Sequence, residues 1–420
     1  MVAILATDIS FLVIHSPQYP EIGCFEVMNV QKEKNISTVL WSILGLAVVV
    51  MLISYPEQAF QSALEGLKVW WEIVLPALLP FFIIADVLMG LGVVSFLGTL
   101  LEPLMRPLFN VPGEGAFAFA MGLASGYPLG ARISAELYRR GLCSRTETER
   151  LICFSNTADP IFMIGAVAVG MFGNASVGLA LVFAHYISAI TVGIFLSFIE
   201  KRPAKTRNRT RTSLIHKAWQ KLLKARNDDG RPFGEILGDS VTSSVENMFK
   251  IGGFIIFFAV LIRLSEVIGL AGILEQGFEL ILKPLFGPGL GKALIGGSLE
   301  ITIGCQKAAA STASLVGRLA VTSAVIAWSG LSVHGQVASM IQGTDLRLGT
   351  FFRARILHAL LAFLLTPLCT KLFPFTIPVW ISTKSTATGL ALMSMFIIAA
   401  LLISIAIDTW QKAKVTWLRW

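Results

Sequence analysis

The chain has 420 residues, of which 55% are hydrophobic and 14% are charged, and its mean hydropathy is +0.72. This composition excludes an ordinary soluble protein and favours one solvated by a lipid bilayer. The net charge is +8, but residues 201–231 alone hold 11 Lys and Arg against 2 Asp and Glu. Because the basic residues are confined to one segment, they do not indicate a nucleic-acid-binding surface.

We expect residues 1–37 to form an N-terminal extension that holds neither a signal peptide nor a membrane helix. Its apolar run at 11–14 is too short for either, and Pro17 and Pro20 interrupt any helix there. Met28 is an alternative start, which would remove most of the extension.

Long uncharged runs predict the membrane helices, because about 20 apolar residues cross the hydrocarbon core. Runs at 35–56, 160–199 and 385–407 lack charged residues, and the second divides naturally at Gly173-Asn174. Less regular candidates lie at 73–101, 251–274, 319–344 and 356–370. The sequence therefore predicts an all-α, polytopic membrane protein with about eight or nine transmembrane helices.

Two further apolar stretches, 115–131 and 293–310, are too short or too rich in Gly and polar residues for simple spans. We expect both to be broken or re-entrant segments. Non-helical backbone at membrane depth is tolerated only where protein or a water-filled cavity surrounds it. Two such segments therefore imply a polar interior.

The basic loop sets the predicted orientation. Short loops rich in Lys and Arg remain in the cytoplasm, so we expect the loop at 201–240 to be cytoplasmic. The C-terminal segment 385–420 should add one transmembrane helix and a basic tail on the same side.

An internal repeat with offsets of 173 to 177 residues is visible in the sequence. Residues 107–109 (PLF) and 112–115 (PGEG) return as 284–286 (PLF) and 288–291 (PGLG), and His185 falls opposite His358. Paired repeats with discontinuous helices are typical of transporters and place half-helix ends near the midplane. The predicted units are an extra transmembrane helix at 38–56, a first repeat at 66–200 and a second repeat at 241–375.

Four strings resemble the YlbJ-type (SpoVV) sporulation integral membrane proteins, which carry nucleoside-recognition (Gate) domains. They lie at 125–131 (SGYPLGA), 153–162 (CFSNTADPIF), 296–302 (GGSLEIT) and 329–337 (SGLSVHGQV). The resemblance covers roughly residues 38–375, so both repeats are Gate-like.

This resemblance implies a multi-pass protein of the outer forespore membrane that moves dipicolinic acid, a small aromatic dicarboxylate, during spore formation. Gate domains also occur in nucleoside carriers and iron transporters, so the fold does not fix the substrate. A nucleoside or other small-solute transporter and a non-transporting membrane scaffold of sporulation remain alternatives.

Arg132 and Lys307 occupy matching repeat positions just after the Gly-containing segments. A cation there needs an interior partner or a cavity, and a pair of them would suit a substrate with two carboxylates. Pairing with Glu136 or Glu300 is the structural alternative.

Other candidates come from the same two regions. We expect Asn156, His334 and Gln336 to contact the solute, and Asp159 and Glu300 to couple protons or cations or to neutralise nearby charge. Glycines at the breaks should let the backbone approach a helix or ligand closely; they are Gly126, Gly130 and Gly304.

No catalytic nucleophile, metal-ligand spacing or cofactor motif is recognisable, so we expect no enzyme and no cofactor. The expected partners are a small anionic solute, with dipicolinate suspected, and the lipid bilayer, but not nucleic acid. A homo-oligomer is an open alternative, and the sequence leaves open which ion, if any, drives transport and whether the repeats are inverted.

Overall fold

The structure is a computed structural model that describes residues 38–199, 214–372, 402–407 and 409. Helices are the only regular secondary structure in these ranges, which confirms the predicted all-α class. The predicted extension at 1–37, residues 201–213 of the basic loop and most of the C-terminal segment 385–420 lie outside them.

The first half of the chain, within the described residues, holds eight α-helices and two π-helical segments. In chain order these are α1 (Thr38–Ser54), α2 (Pro56–Val69), a π-turn (Trp70–Val74), α3 (Leu75–Gly90), α4 (Val93–Phe109), α5 (Gly115–Ser125), α6 (Leu129–Arg139), α7 (Arg145–Ser155), a π-helix (Ile161–Met171) and α8 (Val177–Ile199).

The second half, within the described residues, holds eight more α-helices. They are α9 (Leu214–Asp229), α10 (Phe233–Val267), α11 (Leu270–Phe286), α12 (Leu290–Leu299), α13 (Ile301–Ala310), α14 (Leu315–Trp328), α15 (Gly330–Met340) and α16 (Gly349–Leu372). A short helical stretch follows at 402–407.

The two halves have the same order of helices. The run from α2 through the π-turn to α3 corresponds to the single helix α10, which has 35 residues. Helices α4 and α11 have 17 residues each, and the closing helices α8 and α16 have 23 and 24. Between them, each half has four helices of 10 to 14 residues. This is the order that an internal repeat requires.

Equivalent helices of the two halves run in opposite directions. A Cβ on Gly90, at the end of α3, would lie 2.8 Å from Ile236 near the start of α10. Trp70 begins the π-turn that precedes α3, and its Nε1 donates to the carbonyl of Met248, which lies further along α10 than Ile236, at 3.0 Å. The long helices are therefore antiparallel, which gives the repeats the inverted topology of many transporters.

Four helical stretches are long and apolar enough to cross a membrane, namely α8, α10, the α14–α15 pair and α16. Two bent pairs raise this number to six within the described residues: α1 with α2, bent by 102°, and α3 with α4, bent by 83°. The prediction of about eight or nine also counted 385–407, which lies mostly outside the described residues. As predicted, the run at 160–199 divides near Gly173 into the π-helix and α8.

The candidate span at 73–101 is interrupted at Gly92 and not at its prolines. Helix α3 continues through Pro80, but Gly92 has a φ of 80°, which residues with a Cβ seldom adopt. A Cβ at Gly92 would also lie 2.7 Å from the carbonyl oxygen of Leu222 in α9. Steep departure of α4 from α3 therefore depends on glycine at this bend.

Charged side chains collect at one end of the bundle. Arg139 donates to the carbonyl of Met340 at 2.7 Å, and the N–H of Arg347 donates to Glu149 at 2.9 Å. Arg231, within the predicted cytoplasmic loop, lies at the same end of the bundle. The described part of the loop, from residue 214 onward, and these connections therefore share one side of the molecule.

Candidate functional site

Each half contains a helical hairpin whose tip lies inside the bundle. Hairpin 1 consists of α5 and α6, and its tip contains Gly126, with a φ of 80°, and a cis Tyr127-Pro128 peptide. Hairpin 2 consists of α12 and α13, and Glu300 at its tip has extended backbone. These tips fall within the segments 115–131 and 293–310, so both predicted breaks are present.

Each half also contains a span that is broken halfway along. The first break, 156–160, separates α7 from the π-helix. The second break, between α14 and α15, is formed by Ser329 and Gly330, with φ values of 70° and 66°. A positive φ is uncommon for a serine, so the packing around Ser329 must hold its backbone in this conformation.

The two hairpin tips, at Gly126 and Glu300, and the two breaks, at 156–160 and 329–330, meet in one place. We call this place the midplane site. Trp328 donates from Nε1 to the carbonyl of Ser298 at 3.0 Å, which joins the second break to hairpin 2. A Cβ on Gly126 would lie 2.8 Å from Oδ2 of Asp159, so the tip of hairpin 1 touches the first break. The Tyr127 ring packs on the buried cluster that includes Cys305 of α13.

Arg355 of α16 is the buried cation between the two breaks. Its side chain is fully buried, and it donates to the carbonyls of Cys153, of Asn156 at 2.9 Å and of Ala327 at 3.3 Å. Carbonyls at helix C-termini carry partial negative charge. Arg355 therefore joins the C-terminal ends of α7 and α14 at the centre of the bundle.

Asp159 and Glu300 cap half-helices that begin at the site. An oxygen of Asp159 accepts from the N–H of Phe162 at 2.8 Å, and one of Glu300 accepts from the N–H of Ile303 at 2.9 Å. Neither carboxylate forms an ion pair with Arg132 or with Lys307. The sequence Asp-Pro at 159–160 is itself a helix-start signal, since Asp caps and Pro suits the first turn.

Two histidines at matching repeat positions meet between the halves. The rings of His185 and His358 have centroids 4.7 Å apart, and both side chains are fully buried. Nε2 of His185 accepts from the N–H of Ala158 in the first break, at 3.0 Å, and Nε2 of His358 bonds the carbonyl of His185 at 3.0 Å. These histidines therefore brace the first break.

His334 and Gln336 lie on α15, just after the second break. Nδ1 of His334 bonds the carbonyl of Gly330 at 2.8 Å, and its ring stacks on Trp328 with centroids 4.5 Å apart. Gln336 donates to Ser332 at 3.4 Å. Nε2 of His334 is buried and lacks a partner, so it can bond a ligand or water.

Several other buried polar atoms around the midplane site also lack a hydrogen-bond partner. They are Oγ of Ser125, Oη of Tyr127, Oδ1 and Nδ2 of Asn156, Oγ1 of Thr157 and Nε of Arg355. Buried polar atoms are rarely left unpaired in proteins, because each costs about 1–3 kcal/mol. A concentration of them marks the place where a polar ligand or ordered water fits.

Arg132 and Lys307 are not brought together. Arg132 pairs with Asp86 at 2.5 Å and donates to Ser243 of α10 at 3.0 Å, whereas Lys307 pairs with Glu266 of the same helix. Twenty-three residues separate these two α10 positions, which corresponds to about 35 Å along the helix axis. One dicarboxylate cannot bridge the two cations in this arrangement, and their partners are not the predicted Glu136 and Glu300.

The three predicted glycines lie at close backbone contacts. A Cβ on Gly130 would overlap the carbonyl oxygen of Ser155 at the end of α7. A Cβ on Gly304 would overlap Gly297, which lies opposite it in hairpin 2. Together with Gly126 at the hairpin 1 tip, these glycines let the hairpins approach the breaks and close on themselves.

Sequence reasoning missed Arg355 and Tyr127. The repeat gives Arg355 no charged counterpart, because the matching position is Val182, so comparison of the halves could not find it. The available signal was a cation directly beside the apolar run 356–370. Tyr127 lies within the string 125–131, but nothing in that string distinguished its side chain from its neighbours.

The described residues contain no group of three or more His, Cys, Asp or Glu side chains that could hold a metal ion.

Comparisons with known proteins found the following similarities. A family model described as Gate, nucleoside recognition, matches residues 71–199. The sporulation integral membrane protein YlbJ of Bacillus subtilis strain 168 is 41% identical over 339 residues, which are 80% of this chain and 82% of that protein. An uncharacterised protein of Alkalihalophilus pseudofirmus is 31% identical over 162 residues, 37% of this chain and 33% of its own. A solved structure of a CNTnw variant in an intermediate 3 state covers 90% of this chain and 93% of its own, with 12% identity and a TM-score of 0.36.

The Bacillus subtilis protein is similar along four-fifths of both chains. The matched Gate model covers most of the predicted first repeat, including hairpin 1 and the first break. These findings confirm the predicted resemblance: the chain belongs to the YlbJ family of sporulation integral membrane proteins.

Proposed function

We propose that the chain is a transporter required for spore formation, which moves dipicolinic acid across the outer forespore membrane by alternating access. The observation that carries this proposal is the convergence of four helix breaks, two from each inverted repeat, around unpaired buried polar atoms. Transporters of several folds place substrate sites at such discontinuous helices. The sporulation context comes from the name of the Bacillus subtilis relative.

The chemistry of the midplane site supports an anionic solute. Arg355 supplies a buried positive charge, and its Nε–H has no acceptor. Hydroxyl groups of Ser125, Tyr127 and Thr157 and the amide of Asn156 provide further unpaired donors. A planar dicarboxylate has four acceptor oxygens, so it can satisfy several of these donors at once.

Close packing of the hairpins supports alternating access. The hairpin 1 tip touches Asp159, and Gly130 lies against the carbonyl of Ser155. A solute can enter only when a hairpin moves away from the break that it covers. Because the repeats are inverted, hairpin 1 and hairpin 2 enter the bundle from opposite sides, so movement of each would open the site to a different side.

A nucleoside is the second candidate, and the Asn156 amide favours it. Its Oδ1 needs a donor, which a dicarboxylate lacks and which a nucleoside hydroxyl or base N–H supplies. Asp159 and Glu300 also place two carboxylates near the breaks, which disfavours a dianion unless protons or cations accompany it.

The test is uptake of labelled dipicolinate into liposomes that contain only the purified protein. We expect uptake that unlabelled dipicolinate competes away and that excess uridine leaves unchanged. Asn156→Ala should reduce uptake per inserted molecule about tenfold, as loss of a hydrogen bond to a charged group predicts. Gln276, an exposed polar residue of α11 that lies outside the midplane site, offers the matched control Gln276→Ala.

If uridine blocks uptake at lower concentrations than unlabelled dipicolinate does, the substrate is a nucleoside. Absence of uptake for either solute, from protein that remains folded in the liposomes, would favour the membrane scaffold and refute transport.

A further inference from the structure

A charged cavity of about 470 Å³ lies at the end of the bundle that carries the basic loop. Its walls come from α3, α6, α10 and the end of α15 with its following turn. Its lining includes Asp86, Arg132, Ser243, Lys250, Ser339 and Gln342. None of the residues that form the midplane site is among them, so it is a separate feature.

Arg132 projects into this cavity with part of its guanidinium unused. The residue is 7% exposed and its guanidinium packs over the Phe82 ring, but only Nη2 forms hydrogen bonds, with Asp86 at 2.5 Å and Ser243 at 3.0 Å. Nη1 is buried without a partner, as is Oγ of Ser339 on another wall. Unpaired buried donors of a cation cost more than neutral ones, so both atoms point to an acceptor-rich ligand.

Three other acidic side chains line the cavity, Glu136, Asp239 and Glu246, and the first two pair with neighbouring cations. Glu136 accepts from Arg140 at 2.8 Å, and Asp239 accepts from Arg231 at 2.7 Å. Arg231 also donates to Asp229, and this hydrogen bond lowers the pKa of the Asp229 carboxyl. Glu136 and Asp239 are therefore already paired with other cations, and Nη1 of Arg132 is left for an external anion.

We propose that this cavity is a second solute station, in which Arg132 and Ser339 bind a carboxylate of the transported anion on the side of the basic loop. This inference rests on the proposed function. Arg132 belongs to α6, the arm of hairpin 1 that returns from the midplane site, and its partners belong to the antiparallel helices α3 and α10. A carboxylate that competes with Asp86 for Arg132 would loosen hairpin 1 from these helices, so loading and opening are coupled.

The experiment is protection of a single introduced cysteine. Gln342 lies at the exposed rim of the cavity, and we place Gln342→Cys in the full-length protein within vesicles whose loop side faces outward. Dipicolinate should slow labelling by a membrane-impermeant maleimide, whereas sulfate at equal ionic strength should not. Protein without this cysteine sets the background from native thiols.

Two variants of the ion pair should act in opposite directions. Arg132→Gln should raise the dipicolinate concentration for half protection about tenfold, while Asp86→Asn, which frees the whole guanidinium, should lower it. Arg263→Gln is the matched control, because Arg263 is a half-exposed cation at the far end of α10; it should leave protection unchanged.

Three results would overturn the station: no protection in the parent, equal protection with Arg132→Gln, or weaker protection with Asp86→Asn in folded protein. Uptake of dipicolinate by the parent, measured on the same vesicles, separates this failure from failure of transport. Uptake without protection refutes the station alone, and protection without uptake supports an anion site while it refutes transport.

Discussion

Adding a single methyl group at Gly130 or Gly304 is the sharpest test of the broken segments. The new Cβ would overlap the Ser155 carbonyl oxygen at Gly130, or the Gly297 backbone at Gly304. Backbone cannot rotate away as a side chain does, so α6 must shift relative to α7, or the arms of hairpin 2 must separate. Overpacking of this kind costs about 1–3 kcal/mol or more.

Gly126→Ala adds a conformational term to the contact term. The new Cβ would lie 2.8 Å from Asp159, and the backbone, with φ 80° and ψ −170°, lies in a region open almost only to glycine, which costs another residue about 1–3 kcal/mol. The combined cost again reaches a few kcal/mol. Leucine at any of the three positions should be worse than alanine, because more atoms must be displaced.

The assay is dipicolinate uptake per inserted molecule, with thermal stability measured on the same detergent-solubilised protein. We expect each alanine variant to lose at least tenfold in uptake while insertion is retained. Gly253→Ala in α10 is the matched control, since its Cβ meets no atom within 4 Å; it should keep uptake and gain up to about 1 kcal/mol of stability. Near-parental uptake for all three variants would refute the close approach on which the midplane site depends.

Arg355→Met should lower the melting temperature and abolish uptake, because three buried carbonyls lose their donor at about 1–3 kcal/mol each; the exposed Arg353→Met, tested beside it by thermal unfolding, should change little. Lys307→Gln should reduce uptake less than Arg132→Gln, since the ion pair of Lys307 with Glu266 is about one-quarter exposed. Equal losses of uptake would indicate that Lys307 contacts the solute. A reporter fused within 201–213 should be cytoplasmic, and protease access to it from the opposite side only would contradict this orientation.

Local sequence determined the helices and their interruptions. Uncharged runs must satisfy their backbone internally, so they form helices in lipid, and Gly-rich motifs with Pro or an acidic cap end them. The breaks at Gly126 and Glu300 lie in the two segments predicted to be broken, whereas those at 156–160 and Ser329 lie in strings that the sequence marked only by family resemblance. The repeat was also visible, because the same turn chemistry recurs at 107–115 and 284–291.

The direction of the repeats was decided by tertiary structure. Hydropathy shows which segments are apolar but not in which direction each helix crosses the membrane, so it cannot distinguish parallel from inverted halves. The contacts of Gly90 with Ile236 and of Trp70 with Met248 make the long helices antiparallel. This arrangement brings the two hairpins into the bundle from opposite sides.

Partners of buried charges were likewise set by the tertiary structure. Sequence symmetry grouped Arg132 with Lys307, but each took a carboxylate from a helix far away in the chain, Asp86 or Glu266. Arg355 has no counterpart in the first repeat, yet packing places it between the ends of α7 and α14. A sequence shows that a buried cation needs compensation, whereas which carbonyl or carboxylate compensates it depends on how the helices pack.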